Sequence, residues 1–325
     1  MILVDYSQVA LSAILTFQRE LKGTESEVKN LIRHVTLSTL KSYKKKYGKE
    51  YGELVVCCDG RKYWRREVFQ YYKAGRKKAR DASELDWTLI FDTLSEMRND
   101  ISKHFPWKVI HIDRAEADDV IAVMAKWSQT NGFVQQGLME DPQKVLILSS
   151  DGDFIQLQKW GNVSQYSPMQ KKQIKATQRE LHEKFITHVV KAGDDGIPNI
   201  LSPDDIFLQE GVRQKRISSQ RLDDFLEKGF NACRNDDERR NWHRNLQLID
   251  FEFIPEDVAQ SIVDAYLNNK PTGDKMSVMN YLIENRCRLL LDERTIQQIE
   301  CLLRNRGLQT LRCRGVRCDK VKGSE

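Results

Sequence analysis

"KVLILSSDGDFIQL", residues 144–157, runs through four apolar residues and then stops on Asp151 and Asp153, with Gly152 between them. Carboxylates that close repel each other, and aspartate is a poor strand former. The pair is either a solvated turn or a place where something cationic sits. The same grammar recurs along the chain. "ILVD" (2–5) ends on Asp5, and "ELVVCCDG" (53–60) carries Asp59 at its end. "WKVIHID" (107–113) is followed by "EADDVIAVMAKWS" (116–128), which opens on Glu116, Asp118 and Asp119.

Between these runs the periodicity changes. A helical stretch is predicted from the first strand to about residue 21, and a second from Glu25 to about Tyr47, where Val28, Leu31, Ile32, Val35 and Leu40 recur near a period of 3.6. A further helix is expected over about 84–103. Residues 116–128 form another, with acids in the first turn where the helix dipole favours them. Residues 129–143, with Gly132, Gly137 and Pro142, read as a loop, and "VSQYS" (163–167) as a fifth strand. Continuous rather than alternating apolar strands separated by helices indicate a mainly parallel central sheet covered on both faces, an α/β fold. From about residue 204 the pattern turns helical and polar. The chain therefore divides into residues 1–203 and a smaller helical C-terminal domain, 204–325, with "GIPNILSPDD" at the join.

The 325 residues suffice for a sizeable core. A hydrophobic fraction of 40% and a charged fraction of 30% describe a soluble globular chain. No apolar run approaches the ~20 residues that span a bilayer, and Asp5 inside the apolar start argues against a signal peptide. Seven scattered cysteines fit a reduced, cytoplasmic protein. Cys57 and Cys58 read as core thiols, and Cys313 and Cys318 lack the following ligand pair that a zinc site needs. The net charge of +5 is unevenly spread. Arg61 to Arg80 holds nine Lys/Arg against Glu67, Arg304 to Lys322 holds seven against Asp319, and Lys41, Lys44, Lys45, Lys46 and Lys49 form a third cluster. Such patches on a near-neutral background point to a polyanionic partner.

In a right-handed parallel fold the acids at the strand ends share one rim. Asp194 and Asp195 of "GDDGIPN" (193–199) add two more. So many carboxylates together do not all stay ionised without compensation. Magnesium takes oxygen ligands and keeps several waters, so a single ion does not use this many acids. Two ions about 4 Å apart, held partly through water, would. The alternative for any one aspartate is a turn or helix cap, and it is strongest for Asp119. The segment "GRKYWRREVFQYYKAGRKKAR" (60–80) mixes cations, which grip phosphates, with aromatic rings able to stack on unpaired bases. Trp64 and Phe69 read as packed rings within it.

The stretches "LVDYSQVALS", "YWRREVFQYYKAGRKKAR", "EADDVIAV", "LILSSDGDFIQL", "YSPMQKK" and "LIDFEFIPEDVAQSIV" together resemble the five-prime nuclease (flap endonuclease) family, and within it the ribonuclease H group of T-even-type bacteriophages. The resemblance runs from residue 2 to about 268. It implies a nuclease core with a basic arch at about 61–103, and a magnesium-dependent enzyme, with Mn2+ able to substitute. Its expected activity removes RNA primers and adjoining DNA from a 5′ end and cuts 5′ flaps during phage replication. Carried over by position, it implies that Asp5, Asp59, Glu116, Asp118 and Asp151 serve a first metal and Asp153 and Asp195 a second, with Asp119 and Asp194 as further candidates. Lys73 and Arg80 would act on the scissile phosphate, and Arg65, Arg66, Tyr72, Arg76, Lys77 and Lys78 would bind nucleic acid. The "GIPN" turn resembles a hairpin that offers backbone N–H groups to duplex phosphates. Expected partners are RNA–DNA hybrids, duplex and flap or forked DNA, and a single-stranded-DNA-binding protein on the C-terminal helices, with the enzyme itself a monomer. The two aspartates of "GDDGIPN" are adjacent, unlike the family's spaced pair, and the chain begins almost at its first strand, so tethering to a sliding clamp through an N-terminal extension is not expected. Two rival readings are a non-catalytic branched-DNA-binding protein, and an aspartate-nucleophile phosphatase, which would want Asp-x-Asp after the first strand, where this chain has "DYS".

Overall fold

The apolar runs become strands because both of their faces find a partner. Every residue of β1 (Ile2–Asp5), β2 (Leu54–Cys58) and β6 (Val145–Leu148) is buried. Ile2, Val4, Leu54, Val56, Leu146 and Leu148 face a core built with α1 (Tyr6–Ile14), α2 (Glu25–Tyr51) and α4 (Trp87–His104). Their neighbours Leu3, Val55, Val145 and Ile147 face a second core with α5 (Ala117–Trp127) and α9 (Glu256–Asn268). This is period-2 alternation between two apolar layers. The computed structural model describes residues 1–74, 80, 83–136, 139–209, 211–287 and 290.

The main sheet runs β3-β2-β1-β6-β7-β8, where β3 is Lys108–His111, β7 Val163–Ser167 and β8 Lys172–Ile174. All its pairings are parallel except β7 with the edge strand β8. The register sets Ile2 beside both Leu54 and Leu146, so the chain leaves β1, β2 and β6 at one level. Asp5, Asp59 and the loop 149–153 therefore share an edge. Gly60 is needed there, because a Cβ would lie 2.3 Å from the Ile112 carbonyl oxygen. That close approach is secured by Gly60 N–H donating to the Ala115 oxygen at 2.8 Å.

A third core, with Ile186, Val189, Phe225, Trp242 and Leu248, joins α6 (Gln178–Lys191), α7 (Ser219–Lys228) and α8 (Asp236–Ile249). Phe69 and Tyr72, which flank the end of α3 (Trp64–Val68), belong to it too. The helical half is thus anchored to the basic segment as well as to the sheet. A last described helix, α10 (Lys275–Glu284), packs on α4.

Two expectations are corrected. Residues 129–143 are not all loop: β4 (Phe133–Gln136) and β5 (Met139–Pro142) pair antiparallel, a local hairpin with its proline at the strand end, where the lost donor is tolerated. The first helix ends at Ile14 and continues as the short 3-10 turns Leu15–Phe17 and Glu20–Lys22, whereas α2 extends to Tyr51 and stops at Gly52, whose φ of 83° suits a glycine C-cap. Cys57 and Cys58 are core thiols. Cys313, Cys318 and the basic tail lie outside the described residues. Among the described residues, no helix is long and apolar enough to cross a membrane.

Candidate active site

The edge where β1, β2 and β6 end carries the acids, and helix periodicity sorts them. Glu116 caps α5 and Asp119 closes the reciprocal capping box, its Oδ2 accepting the Glu116 N–H at 2.9 Å. These two lie on one side of the helix start and Asp118 on the other. Asp119 is fully buried: Trp64 Nε1 donates to its Oδ2 at 3.1 Å, while its Oδ1, without a hydrogen-bond partner among the described residues, meets the Arg65 charge with Nη1 2.8 Å away. Asp119, named above as a metal candidate, thus also serves as a cap and a counter-charge.

Arg65 is the centre of this buried group. Its Nη1 also donates to Glu116 Oε2 at 2.9 Å, and its Nε to the Leu248 carbonyl oxygen of α8 at 2.8 Å. Burial works against its charge, but Asp119 and Glu116 hold the guanidinium protonated well above its ordinary range. Glu116 receives two further donors, the Tyr72 hydroxyl at 2.9 Å and Lys73 Nζ. Arg65 and Tyr72 were expected on a nucleic-acid surface. They are 3% and 4% exposed, with the guanidinium and the hydroxyl turned to Glu116 inside the protein. The reason is pairing with carboxylates some fifty residues away, which the local pattern does not display. Lys73 is buried as well, with Nζ between Glu116 and Asp195 Oδ2, the latter at 3.3 Å.

Lys73 and Asp195 meet through their backbones too. Lys73 N–H donates to the Asp195 oxygen at 2.6 Å, and both residues have left-handed φ, 58° and 54°. Such non-glycine conformations cost on the order of 1 kcal/mol or more each and persist where the surroundings fix them. The amides of Asn199, Ile200, Leu201 and Ser202 are taken by Gln214, Val190, Asn199 and Asn199 again. Within "GIPN" (196–199), the Asn199 N–H is thus engaged inside the protein.

The remaining acids face open space. Asp118, Asp151, Asp153 and Asp195 line one cleft of about 270 Å³, walled by Arg65, Tyr72, His188 and Ile197. Asp151 Oδ1 accepts from Asp153 N–H at 2.9 Å, and Asp153 Oδ1 stands 2.7 Å from His188 Nδ1. Asp5 lies behind, accepting from Ser149 Oγ at 2.9 Å and from Gln8 N–H at 3.2 Å. Asp59 accepts from Ser7 Oγ at 2.9 Å and Ala117 N–H at 3.0 Å, and opens onto a neighbouring cleft with Arg80. Burial, then the nearby Asp59, pushes the Asp5 carboxyl up to about 7. Burial together with Asp5 and Asp151 pushes Asp118 well above the carboxylate range, and burial and Asp153 raise Asp151. The acids expected to form one cluster thus stand as a compensated buried group, Glu116 and Asp119, and an under-compensated rim. Among the described residues, no three acids, histidines or cysteines are close enough together to hold an ion by themselves.

Arg66 is exposed, over the Tyr63 ring at 5.3 Å, and Arg80 is exposed over Phe91 at 5.5 Å. Arg76, Lys77 and Lys78 lie outside the described residues, as does the side chain of Asp194. His188 was not anticipated. A single histidine on an amphipathic helix carries no signal until its partner, Asp153, is known.

Comparison with known proteins shows the family. Residues 1–186 match the family described as 5′-3′ exonuclease, N-terminal resolvase-like domain, and residues 182–295 match the family described as T4 RNase H, C terminal. The ribonuclease H of Enterobacteria phage T4 is 33% identical over 298 residues, covering 87% of this chain and 90% of that protein. The flap endonuclease Xni of Shewanella sediminis is 32% identical over 146 residues, 42% of this chain and 49% of its own. The fold matches a bacteriophage T5 flap endonuclease solved with DNA and metal ions, at 18% identity and a TM-score of 0.57 over 82% of this chain and 97% of that one. It also matches the T5 5′-exonuclease solved with zinc, at 17% identity and a TM-score of 0.54 over 88% and 97%. Capped acids at the C-terminal edge of a parallel sheet, with a family match across most of the chain, place this protein in the 5′-3′ exonuclease family as a nuclease, a phosphodiester hydrolase.

Proposed function

We propose that this nuclease is magnesium-dependent, removes RNA primers and adjoining DNA from 5′ ends in RNA–DNA and DNA duplexes, and cuts 5′ flaps. The observation that carries the reading is the rim itself: Asp118, Asp151, Asp153 and Asp195 line one cleft, and burial and then neighbouring carboxylates raise the Asp5 and Asp118 carboxyls above their ordinary range. The donor set is all oxygen, which suits Mg2+ or Mn2+. The wide spacing suits ions that keep most of their waters, and the number of acids suits two of them. Asp118, Asp151, Asp153 and Asp195 would hold the ions, with Asp5 and Asp59 supporting from behind. The chemistry that such cations supply is a lowered pKa for water and neutralisation of phosphoryl charge.

The chain's own residues do the rest. Glu116 and Asp195 fix the Lys73 ammonium behind the cleft-lining Asp195, where it would balance charge on the phosphoryl group. Arg65 ties that wall to α8, so the helical half sets the position of the cleft. Water attacks phosphorus in line, the bond to the 3′ oxygen breaks, and a 5′ phosphate and a 3′ hydroxyl remain. The division at about residue 203 belongs to the same reading, with residues 1–203 catalytic and 204–325 gripping duplex and protein partners. The test is parallel digestion of a labelled RNA–DNA hybrid and a flap substrate while Mg2+ is titrated. Cleavage of both that EDTA abolishes is expected, and cleavage that persists in EDTA would overturn the reading.

A further inference from the structure

On the other side of Asp59 lies a second cleft, of about 240 Å³, whose lining includes Ser7, Asp59, Arg80, Ser95 and Arg98. Arg98 is half-buried on α4, and its guanidinium is braced only by neutral acceptors: Nη2 donates to Ser95 Oγ at 3.2 Å, and Nε to Asn99 Oδ1 at 3.4 Å. Other arginines withdrawn from solvent each pair with a carboxylate, Arg33 with Glu96, Arg65 with Glu116, Arg221 with Glu238 and Arg244 with Asp204. Among the described residues Arg98 has no such partner. A cation taken partly out of water without a counter-charge is costly unless an anion comes to it. The one carboxylate in the cleft, Asp59, is turned to Ser7 Oγ and Ala117 N–H, so it leaves the guanidinium open. Arg80 adds a second cation at the mouth. Asp59 accepts the Ala117 N–H, one residue before Asp118, so one hydrogen bond ties the wall of this cleft to that of the acid-lined one.

We propose that the Arg98 cleft is a phosphate subsite, holding a phosphate of the strand being cut next to the one that is hydrolysed. The inference rests on the nuclease reading above and adds to it a residue outside the acidic rim. A planar guanidinium suits a phosphate's paired oxygens. Two sources share that chemistry, a terminal 5′ phosphomonoester and a backbone phosphodiester of a flap.

The experiment measures binding without divalent ion, by fluorescence anisotropy, and cleavage in Mg2+, for wild type, Arg98→Gln and Arg98→Lys. Three substrates are used: a duplex with a recessed 5′ phosphate, the same duplex with a 5′ hydroxyl, and a 5′ flap. Arg98→Gln is expected to weaken binding about tenfold and raise KM with little change in kcat. Its salt slope should flatten by about 0.7–0.9, one phosphate contact. Arg98→Lys should recover most of the loss, and melting should be unchanged. Loss confined to the 5′-phosphorylated duplex assigns the phosphomonoester, and loss on the flap assigns the phosphodiester. Unchanged binding on all three substrates, or weaker binding with an unaltered salt slope, overturns the subsite. If wild type itself cuts none of them, the nuclease reading falls first.

Discussion

The buried group at Glu116 and Asp119 and the open rim at Asp118 and Asp151 use the same side chains a few residues apart, and their charge balance is opposite. Glu116 and Asp119 are met by Arg65, Lys73, Tyr72 and Trp64. Asp118, one residue from Asp119, is pushed up by burial and then by the nearby Asp5 and Asp151. The difference comes from the helix. Positions 116 and 119 fall on one side of the first turn and 118 on the other. One motif, "EADD", thus supplies both the mortar and the working surface. In the proposed function, the carboxylates that the protein has neutralised hold the fold, and those left in deficit are the ones that would take a cation.

Breaking the rim should give the largest effect. Asp151→Asn is expected to lower kcat at least a thousandfold while substrate binding persists, because under the proposed function its oxygens serve the reaction and not the packing. Gel-resolved cleavage and anisotropy on the same preparation check this, and a variant that cuts normally would contradict the assignment. Breaking the compensated group should instead cost stability. Arg65→Met leaves Glu116 and Asp119 buried with a lost counter-charge, which costs roughly 3–5 kcal/mol, read as a lower midpoint in urea unfolding. If Arg65→Met unfolds no more readily than wild type, the guanidinium is not the keystone described here.

A smaller effect sharpens the contrast through pH. The folded pKa of Asp5 is about 7, above its usual value of 3.8, so the folded state binds the extra proton between those values. Metal-free stability should therefore fall as pH rises from about 4 to 7 and stay low above that. Asp5→Asn, which cannot ionise, should raise the metal-free Tm at pH 8 by roughly 3–6 °C. Calorimetry at pH 5 and pH 8 tests it, and a lower Tm in the variant at pH 8 would refute the deficit. The smallest expected change is at His188, which braces Asp153. His188→Leu should reduce kcat about tenfold, and His188→Asn, which keeps a donor, should restore part of it.

Much of this was legible in the sequence. The central strands could be read because each is apolar on both faces, and the acids because each follows a strand directly. The cap role of Asp119 was visible as an alternative in its spacing of three from Glu116. Residues 60–74 misled more. Arg65 and Tyr72 sit among cations and rings that resemble a surface, and only partners at 116 and 119 take them inside. Local periodicity carries no record of such long-range pairing. His188 and Arg98 were silent for the same reason. One matters through Asp153, the other because, among the described residues, no acid pairs with it as acids do with other withdrawn arginines.

The central claim is that the rim, and not the buried group beside it, binds divalent cations. Mn2+ binding followed by electron paramagnetic resonance at pH 8 tests it directly on wild type, Asp118→Asn and Asp119→Asn. The account predicts about two ions for wild type, loss of at least one in Asp118→Asn, and wild-type stoichiometry in whatever fraction of Asp119→Asn remains folded. Full occupancy in Asp118→Asn, with loss confined to folded Asp119→Asn, would contradict it.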